Sequence, residues 1–419
     1  MATEMKENIL EEVLPTAVLC AVDTGEFDVE RSMDELESLA ETAGAKVVAH
    51  LVQKTSRFDS ATCIGSGKLM ELAEFCSAND VDMVIFNHEL TASQMRNIEA
   101  ATDVDVIDRT TLILDIFAQR AKSAEGRLQV ELAQLKYRLP RLSGMGRILS
   151  RQGGGIGSRG AGEAKLEMDR RYIHNRIQKL EERLKELTKR RKLARNRRKK
   201  DGVTTVAIVG YTNVGKSTLL NALTEAGVLA ENMLFATLDT TSRALELPDG
   251  RSVMLIDTVG LVSRLPHNLV EAFKSTLEEA IDADLILNVC DISSPDAGEQ
   301  QKITTDLICE LGGEKIPMLT VANKCDMLHD KTAVMEGKTV FISAKSGYGL
   351  DTLLKTIADM LEPTQKRMQV LVPYKDAGAL NIVRQNGKVF EEKYEEDGIR
   401  ADVLVDIVVL EKIKEFEVK

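Results

Sequence analysis

The chain lacks the features that mark membrane-spanning, secreted and zinc-bound proteins. No apolar run approaches the roughly 20 residues needed to cross a bilayer. The first residues are acidic and do not have the basic-then-apolar layout of a signal peptide. The six cysteines include no C-x-x-C pair and the five histidines are scattered, so we expect reduced thiols and no metal cluster. These absences predict a cytoplasmic protein.

The composition is typical of a soluble globular protein with several domains. Hydrophobic residues make up 43% of the 419 residues and charged residues 29%. A chain of this length is too long for one ordinary core, and roughly two to four domains are expected. The net charge of −11 is unevenly spread, because residues 183–200 hold eleven Lys or Arg and one acidic residue. This basic stretch can bind RNA although the whole protein is acidic.

Residues 1–111 alternate between apolar runs and amphipathic stretches. Alternation at this spacing favours a small parallel α/β domain. Gly65-Ser66-Gly67-Lys68 looks like a phosphate-binding loop, but it lacks the first glycine and the final Ser or Thr. We interpret it as a tight turn before a helix. Strands are predicted at residues 17–22, 46–52, 83–87 and 104–107, and helices at residues 33–43, 69–78 and 92–101.

Residues 112–200 predict a long antiparallel helical hairpin. Apolar residues recur at steps of three and four in two segments that a loop separates, which is the pattern of two helices packed along a seam. A helix over residues 167–198 would be about 48 Å long at 1.5 Å per residue, long enough to project from a globular body. The seam residues are Leu128, Leu132, Leu135 and Leu139 in one segment and Ile173, Ile177, Leu180, Leu184 and Leu187 in the other.

The loop of the hairpin, residues 143–163, is rich in glycine and carries Arg147, Arg151 and Arg159. Glycine and arginine at the tip of a hairpin suit close approach to a phosphate backbone, since guanidinium groups pair with phosphates or stack on bases. The alternative is a solvated loop with incidental arginines. The same alternative applies to the basic run from Lys189 to Lys200, because exposed helices are commonly charged.

A phosphate-binding loop opens the third unit, residues 201–363. The β-branched run 204–209 predicts a buried strand, and a helical pattern follows at residues 218–223. Backbone N–H groups of such a loop point at phosphate oxygens at the positive end of the helix. Lys216 can reach the β- and γ-phosphates and the Ser217 hydroxyl can ligate Mg²⁺. The predicted nucleotide-contacting residues are Gly210, Tyr211, Thr212, Asn213, Val214, Gly215, Lys216 and Ser217.

Four further buried strands are predicted in this unit, at residues 252–256, 285–290, 318–322 and 339–342. Three further motifs lie at the predicted carboxyl ends of strands, the edge where open α/β sheets bind ligands. Asp257 can hold a Mg²⁺-bound water, and the Gly260 N–H can contact a γ-phosphate. Asp326 can accept from N1–H and the 2-amino group of guanine, which adenine lacks, and such a mismatch is worth on the order of a thousandfold in selectivity. The motifs are Asp257-Thr258-Val259-Gly260, Asn323-Lys324-Cys325-Asp326 and Ser343-Ala344-Lys345, whose backbone N–H groups can bind guanine O6. They predict a switch with GTP as substrate and Mg²⁺ as cofactor.

The loop Phe235-Ala236-Thr237-Leu238-Asp239 lies between these elements and completes the predicted nucleotide site. Thr237 is our candidate for the second Mg²⁺ ligand, engaged only when a γ-phosphate is present. Thr240, Thr241 and Ser242 are alternatives.

The residue that positions the attacking water is not assigned. Leu261 stands where many GTPases place a glutamine, and leucine cannot hydrogen-bond water, so we expect slow intrinsic hydrolysis. Lys216, Thr237 and Gly260 would stabilise the transferring phosphate. A backbone group or another switch residue would orient the water; His267 is a candidate, although an ordinary surface histidine is the simpler interpretation.

The last segment, residues 364–419, predicts a small α+β domain. Alternating stretches at residues 368–372 and 401–409 indicate strands, and residues 410–416 indicate a terminal helix.

Beyond the nucleotide motifs, the chain resembles the HflX family of translation-associated GTPases over nearly all its length. The resemblance rests on residues 107–121, 128–142, 153–163, 235–239 and 265–279. It implies a cytosolic GTPase that binds the large (50S) ribosomal subunit and splits or rescues stalled ribosomes or aids subunit biogenesis. The hairpin and its glycine loop would then reach toward the peptidyl-transferase region, and the ribosome itself would be a further candidate to orient the attacking water. The family usually has proline where Ala161 and Thr240 stand, and an aromatic residue at Leu261.

The expected partner is therefore the large subunit, with rRNA contacts from Arg147, Arg151, Arg159 and the run from Lys189 to Lys200. We expect no DNA partner, no stable membrane insertion, and a monomer. Two other functions are open: an NTP-driven RNA-remodelling enzyme, and a non-ribosomal GTP switch whose hairpin docks a protein.

Overall fold

The computed structural model describes residues 14–144, 159–200, 203–224, 235, 241–262, 277, 279–328, 334–361, 365–376, 378–406, 410 and 413–418. They fall into two compact units. The first contains the chain up to residue 185 together with Phe235, and the second contains the described residues from 186 onward other than Phe235. Among all these residues, no helix is both long and apolar enough to cross a membrane.

A parallel four-stranded sheet forms the core of the first unit, and it confirms the predicted α/β alternation. Its strand order is β2-β1-β3-β4. The central strand β1 is buried along its length, because helices cover both faces of the sheet. The strands are β1 (Thr16–Asp23), β2 (Lys46–Lys54), β3 (Met83–Phe86) and β4 (Asp105–Asp108), and the helices are α1 (Val29–Thr42), α2 (Ser66–Ala78) and α3 (Ala92–Thr102).

The helical region has one more break than its pattern predicts. The helical pattern over residues 112–139 is divided into α4 (Arg109–Arg120) and α5 (Ala124–Arg138). Ala121 adopts an extended backbone, and the Ser123 side chain then accepts a hydrogen bond from the Gly126 N–H. Serine at this N-cap position satisfies an orphan donor of α5 and stabilises the restart. A 3-10 helix (Leu139–Gly144) follows, and α6 (Arg159–Lys200) is the long second helix. The predicted loop 143–163 is thus wrong at its C-terminal boundary, because α6 already begins at Arg159.

The seam between α5 and α6 confirms the predicted hairpin. Leu132, Ile177 and Leu180 are buried together, and the other apolar positions of the seam up to Leu184 pack around them. Two ion pairs flank this core: Arg176 Nε lies 2.6 Å from Glu131 Oε1, and Lys136 Nζ lies 2.8 Å from Glu181 Oε1.

A seven-stranded sheet organises the second unit, in the order β10-β11-β9-β8-β5-β7-β6. All five predicted strands are present. β6 and β10 were missed; β6 is an edge strand of polar sequence, mostly exposed, and carries no clear alternation. The elements are β5 (Thr204–Gly210), α7 (Lys216–Thr224), β6 (Thr241–Glu246), β7 (Ser252–Asp257), β8 (Leu285–Asp291), α8 (Ala297–Glu310), β9 (Met318–Asn323), β10 (Met335–Glu336), β11 (Thr339–Phe341) and α9 (Leu350–Met360).

The C-terminal segment folds as a small α+β module. Strands β12 (Gln365–Val372), β13 (Gly387–Glu395) and β14 (Gly398–Asp406) form an antiparallel sheet with β14 in the centre, and α10 (Gly378–Asn386) packs on it. Val370, Val383 and Val403 are fully buried in its core. Sequence patterning missed β13 and α10. Where it predicted a terminal helix, the part that the structure describes includes a short 3-10 turn, Lys414–Phe416.

Candidate nucleotide-binding site

The predicted phosphate-binding loop joins the central strand β5 to α7. Two of its glycines are required by close backbone approaches. A Cβ on Gly210 would lie 2.2 Å from the Val289 carbonyl oxygen, and a Cβ on Gly215, whose φ is +93°, would lie 2.4 Å from Asn323 Nδ2. Any side chain at either position would therefore displace β8 or the Asn323 amide.

Lys216 is buried at the start of α7 and lies over its own loop. Its Nζ donates to the carbonyl oxygens of Gly210 and Tyr211, at 3.1 and 2.7 Å. Burial lowers the pKa of this ammonium group to about 8, while the nearby Asp257 carboxylate acts in the opposite direction. A phosphate bound beside the Lys216 ammonium group would offset the free-energy cost of burying this charge.

Asp257 ends β7 and is fully buried. The Ser217 hydroxyl donates to Asp257 Oδ2 at 2.9 Å. A hydroxyl and a carboxylate side by side are oxygen donors of the kind Mg²⁺ prefers, so the residues present fit the ion that the motifs predict. The next residue is held in place as well, since Thr258 Oγ1 donates to the Ile208 carbonyl at 2.7 Å.

Gly260 and Leu261 lie directly against the phosphate-binding loop. A Cβ on Gly260 would lie 2.7 Å from Thr212 Cγ2, so only glycine allows this approach. The Leu261 N–H donates to the Gly210 carbonyl at 3.2 Å, and the Thr212 N–H donates to the Leu261 carbonyl at 2.7 Å. The Leu261 side chain is buried. Its backbone, rather than its side chain, is thus what faces the loop.

Asn323 connects three of the predicted motifs. Its Nδ2 donates to the Val214 carbonyl at 2.8 Å, and its Oδ1 accepts from the Ala344 N–H at 2.9 Å. One buried amide therefore fixes the phosphate-binding loop, the end of β9 and the 343–345 segment relative to one another. The arrangement places the guanine-reading elements at the same sheet edge as the phosphate site.

The residues predicted to read the base differ in exposure. Asp326 is exposed in a 3-10 turn (Cys325–Met327), whereas Ser343 is fully buried and its hydroxyl accepts from the Ser346 N–H. The Lys345 side chain is exposed. Lys324 has a left-handed backbone, φ +64°, and its Nζ lies 2.7 Å from Asp291 Oδ2.

Asp291 borders the predicted site but was not among the residues predicted from the sequence. It ends β8 and holds Lys324, and its Oδ1 also accepts from the Ser293 N–H at 3.0 Å. A signal was available, since Asp291 is an acidic residue that directly follows the strand predicted at residues 285–290.

The predicted switch residues are only partly described. Phe235 is buried in the first unit, where its ring meets that of Phe117 edge to face at a centroid distance of 4.5 Å. Thr241 and Ser242 begin β6 and pair with Asp257 and Ile256. Eight residues named in the sequence analysis lie outside the described residues: Ala236, Thr237, Leu238, Asp239, Thr240, His267, Arg147 and Arg151.

Three family models match consecutive parts of the chain. They are described as "GTP-binding GTPase N-terminal" over residues 30–118, "GTP-binding GTPase Middle Region" over residues 120–198 and "50S ribosome-binding GTPase" over residues 205–324. A solved structure of a GTP-binding protein from the archaeon Sulfolobus solfataricus, in complex with GDP, is similar at 24% identity with a TM-score of 0.45, covering 83% of this chain and 98% of that one.

Curated relatives match more strongly. The GTPase HflX of Caldanaerobacter subterraneus is 51% identical over 400 residues, covering 96% of this chain and 93% of the relative. The GTPase HflX of Escherichia coli is 40% identical over 381 residues, covering 90% of this chain and 89% of the relative. With this identity over nearly the whole chain and the phosphate- and guanine-binding motifs assembled at one sheet edge, the protein belongs to the HflX family of GTPases and hydrolyses GTP.

Proposed function

We propose that this GTPase binds the large ribosomal subunit in its GTP state and splits or rescues stalled ribosomes, or aids subunit biogenesis. The observation that carries the proposal is the combination of a guanine-nucleotide site with a long basic helix in one chain. The family is one of ribosome-associated GTPases, and the model matching residues 205–324 is described as 50S ribosome-binding. A ribosomal partner would put this activity in the cytoplasm.

GTP would bind along the sheet edge from the phosphate-binding loop to residues 343–345. Lys216 leaves the carbonyl oxygens of Gly210 and Tyr211 to meet phosphate oxygens, and α7 directs its N-terminal N–H groups at the same place. Asp326 accepts from the guanine base. Because Asn323 ties both ends together, base recognition and phosphate binding depend on one hydrogen-bonded frame.

The metal fits this frame. Ser217 would hold Mg²⁺ directly and Asp257 through a water, with Thr237 as a further ligand when a γ-phosphate is bound. When bound, the ion neutralises charge that develops on the β- and γ-phosphate oxygens.

Intrinsic hydrolysis should be slow, because Leu261 offers no side-chain hydrogen bond to water. Its side chain is buried, and its N–H and carbonyl are both engaged with the phosphate-binding loop. A contact supplied by the ribosome would then provide the water positioning that the Leu261 side chain cannot. Lys216, Thr237 and the Gly260 N–H would stabilise the phosphate as it transfers.

The long helix α6, with its basic C-terminal run, would provide the ribosome contact. α6 contains 42 residues, about 63 Å at 1.5 Å per residue. Tyr172 on this helix is 71% exposed, and the basic run from Lys189 to Lys200 lies at its C-terminal end. We propose that this run, with Arg147, Arg151 and Arg159, pairs with rRNA phosphates.

Co-sedimentation with purified large subunits tests the proposal. Wild-type protein should pellet with subunits in a non-hydrolysable GTP analogue and remain in the supernatant in GDP. A deletion of residues 144–162 should lose binding. A triple change, Arg147→Ser, Arg151→Ser and Arg159→Ser, keeps the length of the loop and isolates the charge. Binding that ignores nucleotide state and loop alike would refute the proposal, and binding to a protein-only partner would favour a docking coil.

A further inference from the structure

Asp108 is a fully buried carboxylate that the GTPase site does not use. It ends β4 and forms the N-cap of α4, where Oδ1 accepts from the Thr111 N–H at 2.9 Å and from Thr111 Oγ1 at 2.8 Å. Oδ2 accepts from the Leu90 N–H at 3.1 Å. These bonds alone would make it an ordinary helix cap.

Two further contacts come from the helical hairpin that begins with α5, which we call the arm. Tyr137 on α5 donates its hydroxyl to Asp108 Oδ2. Arg141, in the 3-10 helix that follows α5, places Nη2 3.4 Å from the same oxygen, and its guanidinium stacks over the Tyr137 ring at 3.5 Å. Arg141 also donates to the carbonyl oxygens of Leu90 and Tyr137, at 2.9 and 3.0 Å. One carboxylate thus connects the sheet edge with three helical elements.

Asp108, Tyr137 and Arg141 form what we term the arm hub. Tyr137 is nearly fully buried, and burial followed by the Asp108 charge raises the pKa of its hydroxyl, so it stays a donor. A buried ionic network seldom adds net stability over an apolar core, but it accepts only one arrangement of its partners. The hub therefore ties the C-terminal end of α5 to the carboxyl end of β4.

We propose that the arm hub fixes the direction in which α5 leaves the N-terminal sheet, and with it the position of α6, so that the hub residues affect large-subunit affinity without contacting the ribosome. The inference rests on the proposed function. Because α5 packs on α6 along their buried seam, a change at the hub is carried to the helix that bears the basic run. Arg109, next to Asp108 in the chain, belongs to a separate ion pair, with Glu35 of α1 at 2.8 Å.

A distance measurement tests the geometry without ribosomes. Nitroxide labels at Met70→Cys and Tyr172→Cys report the distance between α2 and α6. The labels are placed in a Cys309→Ala background, because the other native cysteines are buried. The unaltered hub should give one narrow distance distribution. Asp108→Asn and Tyr137→Phe should broaden or shift it, whereas Glu35→Gln, which alters a comparable carboxylate–arginine pair away from the arm, should not. An unchanged distribution in both hub variants overturns the inference.

Subunit-stimulated GTP hydrolysis gives the functional readout. Asp108→Asn should raise the subunit concentration for half-maximal stimulation about 10-fold. Tyr137→Phe should raise it less, and neither variant should change GTP affinity or the unstimulated rate. A variant that melts earlier but keeps wild-type stimulation would reduce the hub to a structural role. If wild type itself is not stimulated, the proposed function fails, while the label distances still decide the hub.

Discussion

At the carboxyl edge of the N-terminal sheet, Asp108 is enclosed by the chain's own Tyr137 and Arg141. At the same edge of the seven-stranded sheet, Asp257 and Asn323 border a glycine loop built to receive phosphate. The N-terminal sheet is parallel, the seven-stranded sheet is parallel except at its two edge strands β6 and β10, and both gather polar groups where their parallel strands end. The shared topology supplies an edge, and the residues that follow each strand decide whether that edge holds a ligand or a helix of the same chain.

The look-alike loop at residues 65–68, whose sequence resembles a phosphate-binding loop, shows this difference in its hydrogen bonds. The Gly65 N–H, which a phosphate loop would offer to a ligand, donates instead to Gln53 Oε1 at 2.8 Å. Lys68 pairs with Glu71 at 2.8 Å. By contrast, Lys216 is buried and meets only the carbonyl oxygens of its own loop among the hydrogen bonds the described residues provide.

Lys216→Ala should produce the largest effect. Removing the buried charge should weaken GTP binding at least ~100-fold, about 2.7 kcal/mol, because hydrogen bonds to charged groups are each worth about 1.5–3 kcal/mol. Titration calorimetry measures it. Lys68→Ala, at the start of α2 in the look-alike loop, is the matched change and should leave affinity within about twofold; equal losses in the two variants would contradict the assignment.

Asp326→Asn should come next. The amide can no longer accept from both guanine donors, so GTP affinity should fall on the order of 100-fold. Xanthosine triphosphate, which carries a carbonyl in place of the 2-amino group, should bind this variant better than wild type does. Competition binding compares the two nucleotides. Unchanged GTP affinity would remove Asp326 from base recognition.

Nucleotide affinity should depend on pH through Lys216. Its pKa in the free protein is lowered to about 8 by burial, whereas bound phosphate favours the charged form. Above pH 8 binding must therefore take up a proton, and affinity should fall toward tenfold per pH unit. Lys216→Arg stays charged and should give a flatter profile, which also corrects for titration of the nucleotide. A flat wild-type profile from pH 7.5 to 9 would contradict the lowered pKa.

Lys345→Ala should have the smallest effect. The side chain is exposed, and the segment contributes through its backbone, which Asn323 holds at Ala344. Affinity for GTP should stay within about twofold of wild type, as for most surface substitutions. A loss above tenfold would show that this side chain contacts the nucleotide.

The sequence predicted the site better than it predicted the arm, for a physical reason. Motifs such as 257–260 and 323–326 are local in sequence, and strand ends bring them to one edge. The hydrogen bonds of Asn323 to Val214 and Ala344 fix the spacing between these motifs, but they do not change the sheet edge at which the motifs lie. The arm hub joins Asp108 to residues 29 and 33 positions later, which no periodicity signals. The break at residues 121–123 was hidden because Ala121 and Lys122 are good helix formers.

Phe235 shows the same limit. Its neighbours suggested a nucleotide-contacting loop, yet its ring packs on Phe117 in the first unit. Burial of an aromatic side chain in a distant part of the chain depends on tertiary packing, and a five-residue motif does not specify it. β6 was missed for a related reason, because an exposed edge strand needs no apolar alternation.

Single-turnover GTP hydrolysis with and without purified large subunits tests the central claim most directly. With Leu261 buried and unable to orient water, the isolated protein should hydrolyse bound GTP slowly, and saturating subunits should accelerate the step by at least about tenfold. A fast rate for the isolated protein that subunits leave unchanged would contradict the account.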